Sequence, residues 1–197
     1  MHDTTIKTSH QQSLIASVLL AALAVASAAA WAQQSEEEIA LAAQNPVAAM
    51  VSLPLQYNYD QNIGPREDGH KNYVNVQPVI PFSLDEDWNL ISRTIMPVVW
   101  QSDLFPGAGS QSGIGDITQS FFFSPKKPSA GGWIWGVGPV IYLPTASDDL
   151  LGADKWGLGP TAVFLKQEHG WTYGALANHI WSTGGSGRAD INNTFLQ

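Results

Sequence analysis

The stretch WNLISRTIMPVVW, Trp88 to Trp100, carries a tryptophan at each end and none between. Read as a β-strand, positions 88 and 100 share parity, so both indoles point to one face. Leu90, Met96 and Val98 join them there, with Ser92 and Thr94 as small polar residues. Arg93 falls on the opposite face with Ile91, Ile95 and Val99. Ten to twelve strand residues tilted by ~45° rise roughly 23–28 Å, and the apolar band of a membrane β-barrel is about 25 Å tall between aromatic girdles. A lipid-facing Arg at mid-depth would cost ~2–4 kcal/mol, which assigns Arg93 to the lumen. The apolar residues beside it imply a narrow or partly filled barrel.

The rest of the chain repeats this pattern. Val51, Leu53, Leu55, Tyr57 and Tyr59 alternate with Ser52, Pro54, Gln56, Asn58 and Asp60. Val74, Val76, Ile80, Phe82 and Leu84 oppose Asn75, Gln77 and Ser83. Ile117, Phe121 and Phe123 oppose Asp116, Thr118, Ser120 and Ser124, and Trp171, Tyr173, Ala175, Ala177 and Trp181 oppose Thr172, Gly174, Asn178 and Ser182. A period of two marks strands with one apolar face. WIWGVGPVIYL (133–143) and WGLGPTAVFLK (156–166) alternate less cleanly and share a W-G-x-G-P pattern, a local strand device.

The connections 60–71, 102–113, 145–155 and 183–190 read as long and polar, whereas 85–87, 125–132 and 167–170 read as mostly shorter. That sorting suits an antiparallel up-and-down outer-membrane β-barrel better than a sandwich. Trp88, Trp100, Trp133, Trp135, Trp156, Trp171 and Trp181 all fall near strand ends and are assigned to membrane-interface girdles. The lumen-facing candidates are Gln56, Asn58, Asn75, Gln77, Arg93, Asp116, Thr118, Ser120 and Asn178. Pro54, Pro78, Pro81, Pro97, Pro139 and Pro160 interrupt the strands, so each requires a bulge or a forfeited ladder bond.

Composition agrees with this class. Charged residues make up 13% of the 197, against roughly 25% in soluble domains, and there are 18 Gly and 12 Pro for turns. A net charge of −8 disfavours nucleic acid as a partner, and the absence of cysteine removes disulfides and thiolate metal sites. The N-terminus carries an uncharged run, LIASVLLAALAVASAAAWA, ending in Ala30-Trp31-Ala32 before a polar segment. Small residues in an A-x-A triplet favour a signal peptide cleaved after Ala32 over a retained membrane anchor. Ser35 and Glu38 then form a capping box for a short helix from about 36 to 43, stopped by Asn45-Pro46. The expected organisation is a signal peptide at 1–32, a short helical segment at 33–46 and a barrel domain at 47–197.

Five stretches, taken in order, resemble a known family: AQNPVAAMVSLPLQYNY (43–59), ISRTIMPVV (91–99), GIGDITQSFFFSP (113–125), GVGPVIYLPTA (136–146) and KWGLGPTAVFL (155–165). GALANHIWSTGG (174–185) and INNTFLQ (191–197) extend the likeness. The family is the bacterial outer-membrane one named for a putative MetA pathway of phenol degradation, whose members are labelled transporter or, by a naming accident, neuromedin U. The resemblance implies an outer-membrane barrel with a transport role and supplies no catalytic residue. Members continue for further strands, so seven strands and a short eighth read as an N-terminal portion of a longer barrel.

Enzymatic readings find little support. His179 and Ser182 are three apart, so on a strand they face opposite ways and form no nucleophile–base pair. STGGSGR lacks the lysine of a phosphate loop, DDLLGAD lacks calcium-loop periodicity, and no metal-ligand spacing emerges. Asp116 is either a charge at the lumen mouth or a turn residue capping a hairpin, and a direct Arg93–Asp116 ion pair is not expected. The sequence reading is a non-enzymatic outer-membrane channel or transporter for small, hydrophobic or aromatic molecules, with lipid as its partner and no cofactor or metal. Its rivals are a non-conducting structural barrel and a secreted β-sandwich that binds a ligand.

Overall fold

The computed structural model describes residues 36, 39–42, 44–187 and 190–197. The chain divides into two compact units, Met1–Ala40 and Leu41–Gln197. Ala30 and Ala32 of the expected cleavage triplet, and Ser35 and Glu38 of the capping box, lie outside the described residues. Helical backbone is found at 36, 39–42 and 44, and it stops at Asn45, the residue before Pro46.

The second unit is a single antiparallel sheet curled into a half-barrel. Its strands are β1 (Leu55–Ile63), β2 (Gly69–Val76), β3 (Val79–Ser83), β4 (Trp88–Ser102), β5 (Ser110–Ile114), β6 (Ile117–Pro125), β7 (Trp133–Leu143), β8 (Lys155–Glu168), β9 (Trp171–Gly185) and β10 (Asn192–Leu196). The sheet order is β1-β2-β4-β6-β7-β8-β9-β10, with β3 and β5 also on β4. Each span therefore neighbours the next in sequence, as an up-and-down meander requires. One unbroken run of ladders excludes two packed sheets, and with them the sandwich. Among the described residues β1 and β10 do not pair with each other.

Register reduces the ten elements to eight spans. Val76 pairs with Met96 and Val79 with Arg93, three steps on each side, so β2 and β3 are one strand interrupted only at Gln77-Pro78. β5 and β6 differ: three steps on β4, from Val98 to Ile95, oppose four on its neighbour, from Ile114 to Thr118. The extra residue makes a bulge at Gly115-Asp116 opposite Pro97.

The other prolines find separate solutions. Pro139 and Pro160 pair directly across β7 and β8. Each leaves a gap in its other ladder, at Phe121-Phe122 and at His179-Ile180, without a change of register. Both forfeit a bond rather than take a bulge. Val79 exchanges backbone bonds with Ser52, so the absent N–H of Pro81, two residues on, would point along that same side, past the end of the first strand.

The concave face holds the core. Ile91, Phe122, Val163, Leu165 and Leu176 converge from β4, β6, β8 and β9, and Val47 lies on them from the chain before β1. Asn45 Oδ1 accepts the Val47 N–H at 3.0 Å, which fixes the turn that inserts the valine. The partial filling expected from Ile91 and Val99 thus has an identified filler. The connections are a correction to the sequence reading. At one end they are 64–68, 103–109, 144–154 and 186–191, all but 144–154 shorter than read from the sequence, against 84–87, 126–132 and 169–170 at the other. Polar cross-strand pairs such as Asp60 with Lys71 and Gln61 with His70 carry the ladders into stretches expected to be loop. The difference in length between the two ends is weaker as a result.

Candidate functional site

Face assignment propagates from β4, because directly paired residues of antiparallel strands project to the same side. Arg93 pairs with Ser120, Ile95 with Thr118, and Val79 with Arg93. Ala162 pairs with Ala177, so Asn178 is on the face opposite Ala177. Asn75 pairs with Pro97 and with Gln56, and Asn58 pairs with Tyr73. By this register Gln56, Asn58, Asn75, Gln77, Arg93, Thr118, Ser120 and Asn178 all lie on the concave face, and the bulge directs Asp116 there too. Asn89, Gln101, Ser124 and Thr161 are further buried polar residues of that face; the sequence reading set Ser124 on it but named none of the four as a lumen candidate. Their parity with Arg93, Ser120 and Val163 was available as a signal.

Three groups form within the concave face. In the first, an Arg93 Nη donates to Gln77 Oε1 at 2.7 Å, Gln77 Nε2 to Gln56 Oε1 at 2.9 Å, and Gln56 Nε2 to Asn58 Oδ1 at 3.2 Å. This ladder crosses β4, β3's approach and β1 beside a cavity of about 420 Å³. In the second, Ile95, Thr118, Tyr142 and Asn178 line a separate cavity of about 430 Å³.

Asp116 forms the third group, only 6% exposed. Its Oδ1 accepts from the N–H of Thr145 and of Ala146, each at 3.0 Å, and its Oδ2 from that of Ala153 at 2.6 Å. Asp116 therefore sits at a bulge, not at a hairpin turn, and binds the 144–154 connection across the sheet end. A carboxylate with several backbone donors is well satisfied without a cation. It makes no ion pair with Arg93, as the strand register implied.

The convex face is the opposite in character. All seven tryptophans after residue 32 lie on it by register. Trp88, Trp133, Trp135 and Trp171 stand at the end of the 84–87, 126–132 and 169–170 turns, and Trp100, Trp156 and Trp181 at the other end. At the first end Trp133 stacks on Phe164 at 4.1 Å, and Trp88 meets Trp135 edge-on at 5.8 Å. Between the two levels, Leu55, Ile80, Phe82, Phe123, Val137, Leu158 and Phe164 are exposed. Among the described residues no Asp, Glu, Lys or Arg of this face lies between the levels; Lys166 and Glu168 pair at 2.9 Å at its edge. Three polar exceptions on β4 and β6 satisfy one another. Thr94 Oγ1 donates to Gln119 Oε1 at 2.6 Å, and Gln119 Nε2 donates to Ser92 Oγ at 2.9 Å.

His179 and Ser182 do lie on opposite faces. His179 points outward to Thr194, 2.7 Å from its Oγ1, and against Trp181. No group of His, Asp or Glu able to hold a metal ion occurs among the described residues.

The family model described as "Putative MetA-pathway of phenol degradation" matches residues 66–195. The chain belongs to this family. Its match runs from the approach to β2 into β10 and takes in Arg93, Asp116 and every tryptophan of the convex face. Val47, Gln56 and Asn58, on the inserted segment and β1, precede it. Membership associates the chain with the phenol-degradation pathway for which the family is named. Neither the curated proteins nor the solved structures gave a match.

Proposed function

We propose that the chain forms an outer-membrane barrel, acting as a channel or transporter for small hydrophobic or aromatic molecules. The single observation that carries the membrane reading is the inverted polarity of the sheet. Tryptophans occupy two levels of an otherwise apolar convex face, while Arg93, Asp116 and the amide ladder are turned inward. In water such a continuous exposed apolar face is a liability; in hydrocarbon it is the required surface. The mutual satisfaction of Ser92, Gln119 and Thr94 supports the same reading, since a polar group facing lipid has no water to bond.

The transport role is supported by membership in a family tied to phenol degradation and by two cavities on the concave face. A non-conducting structural barrel is favoured by one specific feature, the insertion of Val47 into the apolar centre of that face. Two measurements separate these readings. Membrane fractionation should recover the protein with the outer membrane, and proteoliposomes should take up phenol-sized neutral solutes faster than protein-free vesicles. Uptake equal to protein-free vesicles would leave the structural reading; recovery in the soluble fraction would remove both.

A further inference from the structure

We propose that the cavity bounded by Arg93, Gln77 and the inserted N-terminal segment is a binding subsite for a small organic carboxylate. Arg93 is only 8% exposed, on a wall of a cavity of about 420 Å³. A guanidinium carries five N–H donors. Among the described residues its side chain makes one hydrogen bond, to Gln77 Oε1, and no ion pair. Its Nε and unbonded Nη are not sealed in protein, because the only buried side-chain polar atom left without a partner among the described residues is His179 Nε2, and Arg93 lines the cavity. They therefore open into the cavity.

A cation removed from bulk water without a counter-ion is costly, and the cost is relieved by an anion that enters beside it. The shape of the site selects among anions. Gln77, itself held by Gln56, binds the guanidinium from one side, while Val79, Leu165 and Leu176 form an apolar wall. Arg presents a planar fork that matches a carboxylate, and the apolar wall matches a hydrocarbon body attached to it. The volume falls within the range of small-molecule pockets, about 300–1,000 Å³. A fully hydrated inorganic anion would leave that wall unused.

This inference deepens the transport reading by naming a solute class, but its test does not need transport. The full chain, folded in detergent micelles, is titrated with benzoate and with benzamide, its neutral isostere. Benzoate should bind saturably and at least about tenfold more tightly than benzamide, the scale of one charge-assisted bond. Arg93→Gln should abolish the difference, whereas Lys127→Gln, on an exposed turn, should keep it. Equal affinities for the two probes in the unaltered chain would overturn the proposal, and that comparison needs no variant to fold. Retained benzoate selectivity in a folded Arg93→Gln protein would overturn it as well, as would competition by chloride at the same concentration as benzoate. A protein that passes neutral solutes but binds neither probe loses this subsite and keeps transport; one that selects benzoate in micelles but moves nothing in vesicles does the reverse.

Discussion

Replacing Asp116 tests how the bulge governs the 144–154 connection. Three backbone N–H groups converge on one carboxylate, two on Oδ1 and one on Oδ2. Hydrogen bonds to a charged acceptor contribute about 1.5–3 kcal/mol each. Asp116→Asn keeps one oxygen, which can still serve Thr145 and Ala146, but sets an amide donor against the Ala153 N–H. The expected loss is one such bond, about 1.5–3 kcal/mol, or roughly ten- to hundredfold in the opening equilibrium. Asp116→Ala removes both acceptor oxygens and with them all three bonds. Because the freed amides of an opened connection reach water, the full sum overstates the effect, and about 3–5 kcal/mol is expected. Amide hydrogen exchange resolves the two cases. In the Asn variant protection should fall at Ala153 and persist at Thr145 and Ala146; in the Ala variant it should fall at all three, while the mid-strand amides of β7 and β8 hold. Unchanged exchange at Ala153 in the Asn variant would refute the assignment of that amide to Oδ2.

Three further outcomes follow from the packing. Gly138→Ala should destabilise the sheet by about 3 kcal/mol or more and broaden thermal unfolding, because a Cβ there would lie 2.0 Å from the Phe121 carbonyl oxygen; a variant as stable as the parent would contradict the close approach of β6 and β7. Val47→Asp places a charge among Ile91, Phe122, Val163 and Leu165, so protease cleavage within 45–52 should rise steeply while the strands stay protected. Gln119→Leu leaves Ser92 and Thr94 without their shared partner and should cost about 1 kcal/mol in a bilayer, read as a lower unfolding midpoint in proteoliposomes.

The spans, their order and their faces were legible because a period of two is a local signal. Trp88 and Trp100 alone assign Arg93 inward, and the register from β4 to β9 carries that parity except at the Gly115-Asp116 bulge and at a shift beside Trp156. The two-proline echo was legible as a device but not its use, since pairing Pro139 with Pro160 depends on register across two strands. Asp116 was ambiguous for a related reason. An acid between glycine and isoleucine fits a turn as well as a bulge, and its three donors lie 29 to 37 residues away, at Thr145, Ala146 and Ala153. Nothing in the sequence of 45–52 announces that Val47 enters the concave face, because insertion is a tertiary fact without periodicity. Loop ends were misjudged where polar pairs such as Asp60 with Lys71 continue a ladder; polarity there reflects exposure, not irregular backbone.

The absence of cysteine from all 197 residues permits the most direct test of the membrane-facing assignment. Single cysteines at positions 90 to 98 of β4, each carrying a nitroxide spin label, can be placed in proteoliposomes one at a time. Collision with oxygen, which concentrates in hydrocarbon, and with a water-soluble nickel complex then reports the surroundings of each position. A period of two is expected: oxygen accessibility should peak at 90, 92, 94, 96 and 98 and fall at 91, 93, 95 and 97. Accessibility without alternation, or even-numbered positions open to the nickel complex at mid-strand, would contradict it.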